Sequence, residues 1–85
     1  MPAEPLEIWS IFVQLMGEGT VVFRPTTALH LGGDRYEILP TPDYDPEDEI
    51  WEFVPHTIAK CIPHVFHSGE VGLLAVAKIA PTLEE

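Results

Sequence analysis

Nine prolines and six glycines break this chain of 85 residues so often that no uninterrupted helical period survives. Between these breakers, runs of β-branched and aromatic residues recur at short intervals, which is the pattern of a chain folding as strands and turns. Ile8 to Met16 is the first predicted strand, with Trp9, Ile11, Val13 and Leu15 on one face and Ile8, Phe12 and Met16 on the other. Gly17-Glu18-Gly19 then reads as a tight hairpin turn into a second strand, Thr20 to Leu31, bent or made an edge at Pro25, which has no N–H to give a ladder. Gly32-Gly33-Asp34 turns the chain into a third strand, Arg35 to Leu39, with Tyr36 and Ile38 opposed to Arg35, Glu37 and Leu39.

From Pro40 to Glu49 three prolines and a run of acids predict a loop, after which Ile50 to Phe53 extends or makes one helical turn. Thr57 to Phe66 reads as a fourth strand interrupted at Pro63, and Ser68-Gly69-Glu70 turns into a fifth, Val71 to Ile79. The expectation is one all-β domain over residues 1–85, with an ordered core of about 7–80 and frayed ends. Five short strands, tight turns and one long acidic connection suit a small SH3-like half-open barrel. A five-stranded oligonucleotide-binding barrel is the alternative, though the strands are short for it and the charge is of the wrong sign.

Charge narrows the partner classes. Fourteen carboxylates against four basic residues give a net charge of −10, which disfavours nucleic acid and anionic membrane and favours a cationic protein surface. One cysteine excludes an intrachain disulfide framework and suits a reducing compartment. The start, MPAEPLEIW, lacks the basic and long apolar regions of a signal peptide, and no apolar run reaches the roughly twenty residues that span a bilayer. The expected location is the cytoplasm.

The segment DYDPEDEIWEF, Asp43 to Phe53, holds six carboxylates and no base. Asp43, Asp45 and Glu47 alternate like the opening of a calcium loop. That reading fails because Asp48 stands where the loop needs glycine and Val54 where it needs glutamate. The predicted use is a partner-binding surface of Asp43, Tyr44, Asp45, Glu47, Asp48, Glu49 and Trp51 engaging Lys or Arg by ion pairing and cation-π contact. Trp51 and Phe53, two apart, share a face with Glu52 opposite; either ring can be a lid over a barrel end or a rim beside the acids. Phe53 is expected as lid.

Cys61, His64 and His67 form C-x-x-H-x-x-H, the ligand types of a zinc site, with His56 or His30 as a fourth ligand. Strand alternation puts Cys61 and His67 on one face roughly 20 Å apart and His64 on the other, so the default is a buried Cys61 and exposed histidines. No nucleophile elbow or phosphate loop is present, and Cys61 in an apolar strand would have its thiol pKa raised. Arg24 is expected to pair with an acid of the loop.

At RYEILPTPDYDPEDEIWEFVPHTIAKC, preceded by GEGTVVFRP and followed by SGEVGLLAV, the chain resembles a group of short, uncharacterised bacterial proteins, over nearly its whole length. The resemblance implies a bacterial, cytosolic β domain and supplies no activity. In that group a glycine usually stands where this chain has His56, which implies a differently built turn before Thr57. DYDPEDEIWEFVPHTI also echoes the acidic, tyrosine-containing segment of eukaryotic SH3 domains. There the segment opens the chain and is followed by a tryptophan of the peptide groove, neither of which holds here.

The functional expectation is a non-catalytic module, without cofactor, that engages a basic protein or peptide surface through Asp43 to Phe53, as an adaptor or an inhibitor or immunity-like protein. It is expected as a monomer or weak homodimer. The alternative expectation is a metal-binding or metal-sensing domain using Cys61, His64 and His67.

Overall fold

A computed structural model describes residues 7–79 as six strands without a helix. They are β1 (Ile8–Met16), β2 (Val22–Gly32), β3 (Arg35–Leu39), β4 (Ile50–Trp51), β5 (Ile58–Val65) and β6 (Val71–Lys78). The all-β class is as the punctuation predicts, and β1 and β3 keep the predicted bounds. The predicted frayed ends, Met1 to Pro5 and Pro81 to Glu85, lie outside the described residues.

Strands β1, β2, β3, β5 and β6 pair in succession, and β6 returns to β1, so the sheet closes into a barrel-like ring. Successive strands are antiparallel, and with five of them the last must run the same way as the first. Accordingly β6 meets β1 in parallel, through the pair Phe12 and Leu74. Strand β4 is the sixth, and takes the extended one of the two alternatives open for Ile50 to Phe53. Its two residues pair with the end of β1, Trp51 against Leu15 and Ile50 against Met16, and the Glu52 N–H adds a bond to the Gln14 carbonyl (2.9 Å).

The alternation of β1 sends Ile11, Val13 and Leu15 inward, where they are buried with Ala28, Tyr36, Ile38, Trp51, Ala59, Cys61 and Ala75. Small residues on β2, β5 and β6 leave room for the larger ones on β1 and β3, as a tight ring requires. Trp9 begins the same inward row but lies at its open end, 42% exposed, edge-on to His30 and Tyr36. Its indole N–H donates to Glu7.

One connection and one strand differ from expectation. Between β1 and β2 the chain takes five residues, Gly17 to Val21, with both Gly17 and Gly19 at positive φ, rather than a tight turn. Strand β5 runs through Pro63 without a break, opposite Leu73. Beyond Lys60 it has left its β3 ladder and keeps only β6 as a ladder neighbour, so a missing N–H is tolerated there. Pro25 has a similar setting: β2 pairs with β3 only from Thr27 onward, so at Pro25 its one neighbour is β1.

Outside the ring a second apolar group forms. Phe12 packs on Phe66 (4.5 Å between centroids), Phe66 on Phe23 (5.0 Å), and His64 lies against both Phe66 and Phe23 (4.7 and 5.9 Å). Gly72 makes this possible, since a Cβ there would stand 2.8 Å from the Phe12 ring.

Candidate functional site: the acidic segment at one end of the ring

The segment from Pro40 to Phe53 is a loop with internal order. Thr41 to Tyr44 is a turn closed by the Tyr44 N–H on the Thr41 carbonyl (3.1 Å), with Pro42 in the position its fixed φ favours. Asp45 then caps a single turn of helical type: its Oδ1 accepts the Glu47 N–H (2.9 Å), and its carbonyl accepts from Asp48 and Glu49 (2.9 and 3.0 Å). Pro46 follows the cap, where a missing N–H costs nothing.

Three side chains fasten this loop to the ring. Trp51, from β4, points inward and is 3% exposed. Tyr44 packs edge-on against it, centroids 4.8 Å apart. Glu49 accepts from the Trp51 indole N–H (3.0 Å) and from Arg24 through two of its three guanidinium nitrogens, Nε and Nη2. Hydrogen bonds from Arg24, then from Trp51, hold the Glu49 carboxyl below its ordinary range, and Glu49 raises Arg24 in turn. The pairing of Arg24 with a loop acid is as expected.

The seven predicted contact residues therefore divide. Asp43, Asp45, Glu47 and Asp48 lie exposed on the loop, and the ion pairs among the described residues, Arg24–Glu49, Glu37–His56 and Asp34–Lys60, use none of them. Tyr44 and Glu49 face the ring. Trp51, for which lid and rim were both open, takes the covered position and drops out of the predicted contact set, with no face left for a cation, because it points inward from β4 opposite Leu15. Phe53 packs half-buried against the same core. The residues not foreseen are the outward pair beside it: Ile50 on β4, 60% exposed, and its partner Met16 on β1, 44% exposed. Residue type gave no signal for them, since large apolar residues are presumed inside.

The cysteine and histidines do not converge. Cys61 is buried in the ring, and burial, then the nearby Asp34 charge, push its thiol up to about 11. His64 belongs to the outer aromatic group, His67 lies in the turn after β5, and His56 contacts Glu37 (3.0 Å) beyond the other end of that strand. His30 stacks on Tyr36 with its Nε2 at 2.8 Å from the Gly33 carbonyl. Among the described residues no three His, Cys, Asp or Glu side chains gather as a metal site would need. No described helix is long and apolar enough to cross a membrane. Comparison of the chain with family models, with curated proteins and with solved structures found no match.

Proposed function

We propose that the protein is a non-catalytic binding module that presents Asp43, Asp45, Glu47 and Asp48 to a basic protein surface. The carrying observation is that these four carboxylates are exposed and form no ion pair with another described residue, on a loop that Tyr44, Glu49 and Trp51 pin to the core. A fixed loop loses little freedom on binding, so charge attraction is not spent on ordering it. Net charge of −10 steers a cationic partner toward the molecule and away from nucleic acid. Two of the four basic residues, Arg35 and Lys60, pair across β3 and β5 at the end of β3 remote from this loop, so they do not neutralise it.

An adaptor or an inhibitor of a cationic enzyme would use such a surface, in the cytoplasm of a bacterial cell, where a lone buried thiol is at home. The test is association with captured native partners at low and high salt, with the variant Asp45→Asn, Glu47→Gln, Asp48→Asn in parallel. Binding should weaken at least tenfold with salt and with the variant. A partner held equally well under both changes would remove the proposal.

A further inference from the structure

The geometry points to the outward pair Met16 and Ile50 as an apolar docking patch for a basic partner that presents an apolar side chain among its Lys or Arg residues. This rests on the proposed function and adds what the acids alone do not supply.

The patch follows from register. Leu15 and Trp51 are opposed and both turn into the core, so their neighbours Met16 and Ile50, also opposed, both turn out. One step back along β1 the same outward face carries Gln14, with Phe23 across from it on β2. Val21, 67% exposed, immediately precedes the last pair of that ladder, Leu15 with Val22. Two large apolar side chains, Met16 and Ile50, thus stand opposed in the open, with Val21 exposed beside the end of the same ladder.

Charge decides between occupants. Ile50 is flanked along the chain by Asp48, Glu49 and Glu52, and Glu18 follows Met16 in the connection to β2. Arg24, the base nearest these residues in the fold, is committed to Glu49. A second copy of the chain would set acid against acid across the contact, at a repulsive cost. A cationic partner meets attraction around the rim and apolar surface at the centre, the arrangement in which central apolar contacts set dwell time and rim charges set encounter rate.

Two synthetic peptides of equal length and charge, one alternating Lys and Leu and one alternating Lys and Ser, separate these contributions when titrated into the full chain. The Lys-Leu peptide should bind about tenfold tighter, and the double variant Met16→Ser, Ile50→Ser should abolish that preference while keeping the salt dependence. Ile8→Ser, which changes an equally exposed residue at the far end of β1, should leave the preference intact. Equal binding of the two peptides would overturn the patch and leave the charge-based function standing. A preference that survives the double variant would overturn it too, and failure of both peptides to bind would remove both readings. Sedimentation supplies the remaining outcome: a dimer of the free chain that Ile50→Ser dissolves would make this face a self-interface and overturn the proposal.

Discussion

His56 has φ of +75°, a left-handed backbone that glycine takes freely and a side chain pays for. The turn before Thr57 is thus shaped as a glycine would shape it, even though the residue is histidine. Its contact with Glu37 is solvent-exposed, and such pairs contribute little. His56→Gly should therefore raise stability by about 0.5–1 kcal/mol, read as a higher urea midpoint with unchanged slope. A lower midpoint would show that the Glu37 contact outweighs the strain. Cys61 gives a pH prediction. Its thiol titrates near 9 when exposed and near 11 in the fold, so between those values the unfolded chain loses a proton that the folded chain keeps. Stability falls as pH rises through that window, and Cys61→Ala should flatten the fall. Its burial was legible because an apolar run surrounds it. The covering of Trp51 was not, since alternation tells which residues share a face and leaves open which face is covered.

Strand β4 converts the acidic loop from a tether into a fixture. Trp51 is its inward half, and the two tryptophans give separate reports. Trp9→Phe should leave an emission that is blue-shifted and poorly quenched by iodide, while Trp51→Phe should leave a quenchable one. Equal quenching of the two variants would contradict the burial described. Gly72 is the corresponding point for the outer aromatic group: Gly72→Ala forces its methyl against Phe12 and should cost roughly 1–3 kcal/mol by thermal or urea unfolding. The five longer strands were readable because each carries several residues of alternation between turn signals. Two residues cannot show a period, so over Ile50 to Phe53 the sequence left an extended stretch and a helical turn both open. Pro63 misled in the other direction, because its effect depends on whether β5 has a ladder neighbour on each side, a fact of the sheet rather than of the strand.

Across the whole molecule the excess of acid is a source of self-repulsion as well as of steering. Raising salt from low to moderate concentration should increase the melting temperature by roughly 4–8 °C for each kcal/mol of repulsion relieved, and neutralising Asp45, Glu47 and Asp48 should shrink that response. A melting temperature that drops with salt would mean the Arg24–Glu49 attachment dominates instead. Ring closure was legible only as a need to hide edges; which strands close it was not, because the pairing of Phe12 with Leu74 joins residues far apart in sequence. That parallel seam also sets how the molecule can be handled. Strand β1 starts four residues before its shared pair and β6 ends four after its own, so entry and exit stand about eight residues of strand apart, roughly 26 Å. The chain enters β1 beside Trp9, clear of the acidic end, and leaves β6 on the side of the ring where β1 ends. A permuted chain would therefore need a connection from Lys78 to Ile8 long enough to traverse the ring.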